Sequence, residues 1–295
     1  MGRGVVGAGE VERPGGDGGT AVYGAARRDI AEDRGGLILV VEDNPTNREV
    51  MRRQMDRLGL AIDMADNGGS ALEKMAVHDY GMVLTDCHMP VMDGYELVRK
   101  IREKEKKTAT HLPVVALTAD ALVGTAQACL EAGMDEYLSK PVQLAELEAV
   151  VRRCLPGAME LRDDFRVAQP GIEQGGGGKS VMPVLPDDTF DPGPLEMAFG
   201  SINDEARRFA QDFLATLPGH FQAIQHSMAQ GDFQAVREAA HALKGASGSI
   251  GARGLSHLSA DIEGAAKERD FDRVHQLVPE LSRHSQALDT VIAGL

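Results

Sequence analysis

Five polar side chains follow short aliphatic segments of the sequence, and together they could carry phosphoryl-transfer chemistry. They are Glu42 and Asp43 after Leu37–Val41, Asp86 after Met82–Leu84, Thr118 after Val114–Leu117, and Lys140 after Glu136–Leu138. In an open parallel sheet, ligands bind beyond the carboxyl ends of the strands, which lie along one edge. If these segments are parallel strands, three carboxylates, one hydroxyl and one ammonium group converge at that edge.

The chemistry of such a cluster follows from its charges. Three carboxylates repel one another unless a cation lies among them. Oxygen ligands of this kind favour Mg²⁺, which takes one or two carboxylates together with waters and phosphate oxygens. One of the acids can then attack phosphorus and form an aspartyl-phosphate. Lys140, the Thr118 hydroxyl and Mg²⁺ can neutralise the charge of the transferred group.

A second candidate for chemistry is His241, in the segment 239–252. Four residues there share one helix face at steps i, i+3, i+4 and i+7, namely His241, Lys244, Gly245 and Gly248. A helical glycine costs about 1 kcal/mol relative to alanine, so two of them indicate a surface cleared around an exposed imidazole. Lys244, one turn away, could stabilise a phosphoryl group as a point charge.

The elements that must position these residues can be recognised from hydrophobic periodicity. Between residues 36 and 155, aliphatic segments alternate with amphipathic ones. The predicted strands are Leu37–Val41, Ala61–Ala65, Met82–Leu84, Val114–Leu117 and Glu136–Leu138. The predicted helices are Asn47–Leu58, Gly69–His78, Gly94–Lys104, Ala121–Ala132 and Leu144–Cys154. This alternation predicts an α/β, doubly wound, five-stranded parallel sheet with helices on both faces.

The remaining segments divide into one helical domain and two stretches without lasting periodicity. Residues 190–295 have apolar residues at steps of three or four, which predicts an all-α four-helix bundle. Pro218 falls inside its first helix and should kink or split it. The Gly-rich residues 1–35 are expected to form a disordered arm. Residues 156–189, which include Gly175–Gly178, are expected to form a flexible linker.

The composition excludes several classes of function. The formal net charge is −14, which argues against nucleic-acid binding because that requires a basic face. No apolar run approaches the roughly 18 residues of a membrane span. The three cysteines, Cys87, Cys129 and Cys154, lack the spacing of a metal site, and their odd number favours a reducing compartment. We therefore expect a cytoplasmic protein that binds neither nucleic acid nor membrane.

Four motifs within residues 36–155 resemble the response-regulator receiver family, especially the receivers of hybrid histidine kinases. They read LILVVEDNPTNREV, VLTDCHMPVMDGYE, VVALTADAL and CLEAGMDEYLSKPV. The resemblance implies a flavodoxin-like receiver with Asp86 as the phosphoacceptor. It also implies that Mg²⁺ is held by Glu42, Asp43, Asp86 and the His88 carbonyl. Thr118 and Lys140 would contact the phosphoryl group. Tyr137 would act as a switch, and the Lys140–Pro141 peptide bond would be cis.

The pattern H-x-x-K-G-x-S-x-x-x-G, from His241 to Gly251, resembles the histidine phosphotransfer family. This resemblance extends over about residues 190–295. It implies that His241 is a second phosphoacceptor supported by Lys244. Ser247 also fits the pattern, either by orienting the site or by packing locally.

These resemblances favour a phosphorelay intermediate. In that hypothesis a sensor histidine kinase phosphorylates Asp86, the group moves to His241 in the same or another chain, and a downstream response regulator receives it. Two alternatives remain open. One is an interaction module whose phosphorylation reshapes the surface near Tyr137 while the bundle drains phosphate backwards. The other is the C-terminal part of a hybrid histidine kinase. We recognise no ATP-binding kinase signature, so we do not expect the chain to generate its own phosphoryl group.

Overall fold

The computed structural model describes residues 28–108, 110–118, 123–167 and 189–295. Residues 28–167 form the α/β domain and residues 189–295 form the helical domain. The strands are β1 (Ile38–Val41), β2 (Ile62–Ala65), β3 (Met82–Asp86), β4 (Val114–Thr118) and β5 (Glu136–Ser139). The helices of the α/β domain are α1 (28–33), α2 (Pro45–Leu58), α3 (Gly68–Lys74), α4 (Gly94–Thr108), α5 (Val123–Ala132), α6 (Leu144–Cys154) and α7 (Pro156–Val167).

The five strands are all parallel and lie in the order β2-β1-β3-β4-β5. Every residue of β1, β3 and β4 is buried, as expected for central parallel strands that are covered on both faces. Successive residues of a strand point to opposite faces. Val40 and Leu84 accordingly belong to a core with α2 and α6, while Leu39 and Val83 belong to a core with α4 and α5. The predicted doubly wound fold is confirmed.

The first turn of α2 is positioned by a sequence signal in the loop after β1. Asn44 caps the helix by accepting hydrogen bonds from two backbone N–H groups of the first turn. Pro45 occupies the start of the helix, where its missing N–H would have no partner in the helix. Gly59 ends the helix at a φ of 70°, a left-handed conformation that glycine adopts without strain. The loop with Glu42 and Asp43 is thereby held against the start of α2.

The helical domain contains the predicted bundle. Its helices are α8 (Gly193–Phe199), α9 (Asp204–Ala229), α10 (Phe233–Ile250), α11 (Arg253–Lys267), α12 (Phe271–Leu277) and α13 (Glu280–Ala293). The long helices α9, α10, α11 and α13 pack around one core that includes Phe213, Leu243, Ile262 and Leu288. None of the described helices is both long and apolar enough to span a membrane.

Two details of the bundle differ from the sequence expectation. The last apolar stripe belongs to two helices, because Pro279 separates α12 from α13. Pro218 does not split α9, which continues as one helix of 26 residues. Pro218 lies on the exposed side of α9, so its ring faces solvent instead of the core.

Helical structure extends into both stretches for which we expected none. Within the predicted arm, residues 28–33 form α1, and Arg28 makes two hydrogen bonds, of 2.8 and 2.6 Å, to Asp63. Within the predicted linker, α7 begins at Pro156, and its Met159 and Leu161 are buried. Burial of these apolar side chains stabilises a helix that periodicity over so short a stretch did not reveal. Residues 1–27 and 168–188 lie outside the described residues.

The helical domain packs against α2 of the α/β domain, through α8 and α10. The Arg57 guanidinium donates a hydrogen bond of 2.8 Å to the carbonyl of Glu196 and another to that of Met197. Arg53 forms a salt bridge with Glu205. This packing brings α10, with His241, to the carboxyl edge of the sheet.

Candidate functional site

The strand register brings the three predicted acids together. Val41 of β1 pairs with Thr85 of β3, so the next residues, Glu42 and Asp86, are neighbours at the edge of the sheet. One carboxylate oxygen from each of Glu42, Asp43 and Asp86 lies within 4.8 Å of the others. Asp86 is 5% exposed and Glu42 is 1% exposed, so water screens their repulsion poorly.

Lys140 supplies the positive charge nearest to these acids. Its Nζ lies 2.5 Å from Glu42 Oε2 and 2.5 Å from Asp86 Oδ2. Burial works against the charge of Lys140, but the charges of Asp86 and Glu42 outweigh it and raise the pKa of the ammonium group. The peptide bond that follows, Lys140–Pro141, is cis as expected. Lys140 therefore remains charged and bridges two of the three acids.

A single ammonium group leaves the acids under-compensated, and a divalent cation fits this need. Burial, followed by the charge of Asp86, raises the pKa of Asp43. The same causes raise the pKa of Glu42, although Lys140 opposes them. Hard oxygen donors without nitrogen or sulfur ligands suit Mg²⁺. The residues present therefore fit the predicted Mg²⁺ site.

The other predicted residues of the α/β domain take different positions around the cluster. Thr118 is the last residue of β4, is 3% exposed, and accepts a 2.7 Å hydrogen bond from the Lys140 backbone N–H at its own carbonyl. The His88 N–H donates to Asp86 Oδ1 at 3.2 Å, while a role of the His88 carbonyl in cation binding remains a prediction. Tyr137 lies on β5 and is 42% exposed, and its role as a switch also remains a prediction.

His241 lies on α10 with its side chain 23% exposed and its ring held by an acid that the sequence reading missed. Its Nδ1 is 2.8 Å from Glu263 Oε1. The carboxylate can only accept, so in the neutral ring Nδ1 carries the proton and Nε2 keeps the lone pair of a nucleophile. Lys244 Nζ donates to the other oxygen, Glu263 Oε2, at 3.0 Å.

Glu263 stays ionised because of these two partners. Its burial favours the neutral form, but the hydrogen bonds and charges of His241 and Lys244 lower its pKa to about 2. No sequence signal distinguishes Glu263 from the other acids of α11, such as Asp261. Its role depends on the packing of α11 against α10, which only the folded bundle shows.

The residues of the predicted glycine surface face different neighbours. A Cβ on Gly245 would lie 3.3 Å from Asn47 Nδ2 of α2, so glycine permits the close approach of the α/β domain. A Cβ on Gly248 would instead meet Ser256 of α11 at an ordinary 3.5 Å. Ser247 is fully buried, and its hydroxyl forms no hydrogen bond within the described part of the chain. Of the two alternatives for Ser247, local packing fits the structure.

The two candidate phosphoacceptors lie at one interface between the domains. The ring of His88, two residues after Asp86, lies edge-on to the His241 ring with centroids 5.6 Å apart. Burial lowers the pKa of His88, and the neighbouring His241 adds to this effect. The imidazole of His241 thus lies beside the edge that carries the acid cluster, an arrangement suited to phosphoryl exchange.

Comparisons with known proteins match the two domains to two families. Residues 38–152 match the response regulator receiver domain family, and residues 208–291 match the Hpt domain family. The virulence sensor protein BvgS of Bordetella pertussis is 31% identical over 270 residues, covering 86% of this chain and 20% of BvgS. The sensor histidine kinase GacS of Pseudomonas protegens is 31% identical over 237 residues, covering 79% of this chain and 24% of GacS.

The chain spans only about a fifth to a quarter of the length of these curated relatives. Among solved structures, the receiver domain of the sensor histidine kinase PA1611 from Pseudomonas aeruginosa, crystallised with a magnesium ion in its active-site cleft, is 39% identical. That likeness covers 41% of this chain and 98% of the other, with a TM-score of 0.38. Each family match coincides with the domain that carries its motifs, and the chain therefore belongs to the response regulator receiver family over residues 38–152 and to the Hpt family over residues 208–291.

Proposed function

We propose that this protein is a phosphorelay intermediate in which Asp86 accepts a phosphoryl group and exchanges it with His241. The observation that carries the proposal is the position of His241 beside His88, at the sheet edge where Asp86 and Lys140 meet. In the proposed relay, a sensor histidine kinase is the source of the group. A downstream response regulator, in the cytoplasm, is its destination.

The exchange is a reversible substitution at phosphorus. In the forward direction, the Nε2 lone pair of His241 attacks the phosphorus atom of the Asp86 acyl phosphate. An N–P bond forms, the O–P bond to the Asp86 carboxyl breaks, and the electron pair of that bond returns to the carboxylate. Glu263 accepts a hydrogen bond from Nδ1–H throughout and stabilises the positive charge that develops on the imidazole.

The remaining residues of the cluster manage charge. Lys140 and the Thr118 hydroxyl are proposed to contact phosphoryl oxygens, as the receiver resemblance implies. Glu42, Asp43 and Asp86 would hold Mg²⁺, which neutralises negative charge on the transferred group when bound. Lys244 pairs with Glu263 and is proposed to stabilise a phosphoryl group on Nε2 as a point charge.

We further propose that the exchange takes place within one chain. The Arg57 hydrogen bonds and the Arg53–Glu205 salt bridge support this, since they hold the domains together with α10 against the start of α2. Tethering raises the effective concentration of one site at the other, so the reaction does not depend on protein concentration. A constant exchange rate over a wide dilution series would agree with this, and a rate that rises with protein concentration would contradict it.

Labelled-phosphate transfer with purified full-length variants tests the proposal. Asp86→Asn should take up no label from a histidine kinase. His241→Gln should load the α/β domain but transfer nothing onward, because glutamine lacks the nucleophilic ring nitrogen. His226→Gln, an exposed histidine on α9, and Asp79→Asn, an exposed acid, serve as matched controls that should behave as wild type. Onward transfer from His241→Gln at the wild-type rate would refute the proposal.

A second candidate is that the same pair of domains works as part of a hybrid histidine kinase. The observation in its favour is that BvgS and GacS, which match most of this chain, are sensor proteins four to five times as long as the matched part. In that case the kinase that loads Asp86 would belong to the same polypeptide. The genomic sequence upstream, read in frame, distinguishes the two candidates.

A further inference from the structure

Three polar side chains form a continuous hydrogen-bonded path from the helical domain to the acid cluster. Ser249 Oγ on α10 lies 2.7 Å from Asn47 Oδ1 on α2. Asn47 Nδ2 lies 2.8 Å from Glu42 Oε1. Ser249, Asn47 and Glu42 are only 7%, 8% and 1% exposed. Water therefore competes poorly for any of these hydrogen bonds.

The chemistry of the groups determines the direction of the path. The Glu42 carboxylate accepts hydrogen bonds and cannot donate, so the amide nitrogen of Asn47 must face it. The amide oxygen of Asn47 then faces Ser249, whose hydroxyl must be the donor. An inverted Asn47 amide would place its oxygen against the carboxylate and its NH₂ against Ser249. The orientation of Asn47 is thus set jointly by one group from each domain.

We propose that Asn47 is a positioning residue through which docking of the helical domain organises the metal-binding carboxylate of Glu42. The inference rests on the proposed function insofar as that function places a divalent cation at the acid cluster. Asn47 holds Oε1 of Glu42, while Oε2 is the oxygen on the side of Lys140 and Asp86. Ser249 restrains the Asn47 amide in the docked state, and undocking removes that restraint.

The packing around Asn47 makes this coupling specific to the docked state. A Cβ on Gly245 would lie 3.3 Å from Asn47 Nδ2, so the α10 backbone passes close to the amide. Asn44, at the cap of α2, reaches the Ala242 carbonyl with a long contact of 3.5 Å. Both contacts involve the turn of α10 that follows His241. The nucleophile and the restraint on Glu42 therefore arrive together when the domains dock.

Thermodynamic linkage then requires reciprocity. If docking favours the Glu42 orientation that binds a cation, cation binding must favour docking by the same factor. The hydroxyl of Ser249 contributes one neutral hydrogen bond to this coupling. A bond of that kind corresponds to a change of about two- to tenfold in the affinity for the metal.

The test measures metal binding alone, without phosphoryl transfer. Mn²⁺ is titrated into the full-length chain, and free Mn²⁺ is counted from its electron paramagnetic resonance signal. Ser249→Ala should weaken Mn²⁺ binding by about two- to tenfold. The matched control is Ser259→Ala, a buried serine of the same domain whose hydroxyl donates only to the Leu255 carbonyl of its own helix, at 2.7 Å. Its Mn²⁺ affinity should equal that of wild type.

A double-mutant cycle separates coupling from a general effect on the fold. Asn47→Ala removes the middle of the path, so adding Ser249→Ala to it should change Mn²⁺ affinity no further. Wild-type affinity in Ser249→Ala, or additive losses in the double variant, would overturn the inference.

The two proposals fail in distinguishable ways. If phosphoryl exchange is normal and Ser249→Ala binds Mn²⁺ as tightly as wild type, only the role of Asn47 is defeated. If the wild-type chain shows no phosphoryl exchange between Asp86 and His241, but Ser249→Ala still binds Mn²⁺ more weakly than wild type, only the relay is defeated.

Discussion

Replacing Glu263 by glutamine should slow phosphoryl transfer from Asp86 to His241 by roughly ten- to hundredfold. The wild-type carboxylate holds Nδ1 of His241 at 2.8 Å and Nζ of Lys244 at 3.0 Å. Glutamine has one acceptor oxygen in place of two and carries no charge. It can satisfy one of these partners and must present its NH₂ group to the other.

The magnitude follows from the bond that is lost. A hydrogen bond to a charged group contributes about 1.5–3 kcal/mol. The Nδ1 bond strengthens as the imidazole becomes positive during transfer, so its loss raises the barrier. A factor of ten in rate corresponds to ~1.4 kcal/mol, and the expected loss is therefore about ten- to hundredfold. The rate constant should fall while the extent of Asp86 loading stays unchanged.

The assay follows conversion of the base-labile acyl phosphate of Asp86 into the base-stable phosphohistidine of His241 in rapidly quenched samples. Glu268→Gln makes the same charge change at an exposed position at the end of α11 and serves as the matched control. Nitrogen-15 NMR of the imidazole adds a readout that a purely structural role would not move. We expect the Nδ1–H tautomer to dominate in wild type and to lose population in Glu263→Gln. A wild-type transfer rate, or an unchanged tautomer, would refute the reasoning.

Three further predictions concern stability and docking. The folded pKa of Glu263 is lowered from 4.5 to about 2, so its stabilisation is complete above about pH 4.5 and is lost as the pH falls towards 2. Denaturant unfolding should show that wild type exceeds Glu263→Gln in free energy of unfolding by at most ~3 kcal/mol above pH 4.5, and that this difference shrinks as the pH falls to 2. A difference that grows on acidification would contradict the prediction. Gly245→Ala should stabilise α10 by up to about 1 kcal/mol. It should nevertheless slow phosphoryl exchange within the chain by roughly tenfold, because the new Cβ would lie only 3.3 Å from Asn47 Nδ2. The control is Gly264→Ala, whose Cβ meets nothing within 4 Å and which should leave exchange unchanged. Arg57→Ala removes two hydrogen bonds to α8 and, at ~1 kcal/mol of lost docking, should slow exchange about fivefold. A dilution series of that variant should then show the onset of exchange between chains, and an unchanged intrachain rate would argue against the docking surface.

The α/β site could be predicted from sequence because topology alone brings its residues together. Once the aliphatic segments are recognised as parallel strands, their carboxyl ends must meet, and Glu42, Asp86 and Lys140 become neighbours wherever the loops run. The same holds for His241 and Lys244, which one helical turn places side by side. Local periodicity suffices in both cases, since each residue is located by the element that carries it.

Hydrophobic periodicity did not predict the two helices that are stabilised mainly by packing against other elements. Residues 28–33 and the helix from Pro156 gain their order from contacts such as Arg28 with Asp63 and from the burial of Leu161. A short segment has too weak an intrinsic preference to reveal this by itself. Pro218 does not split α9, because it lies on the exposed side of the helix, away from the buried residues that hold α9 in the bundle.

Residue order was enough to identify the side chains that could carry a phosphoryl group, because strand ends and helix faces follow from it. The contacts that hold those side chains in position appear only once the chain is folded. Glu263 meets His241 across 22 positions of the chain, and Ser249 meets Asn47 across 202. Contacts over such separations depend on how helices and domains pack, and no local pattern of residues encodes that packing.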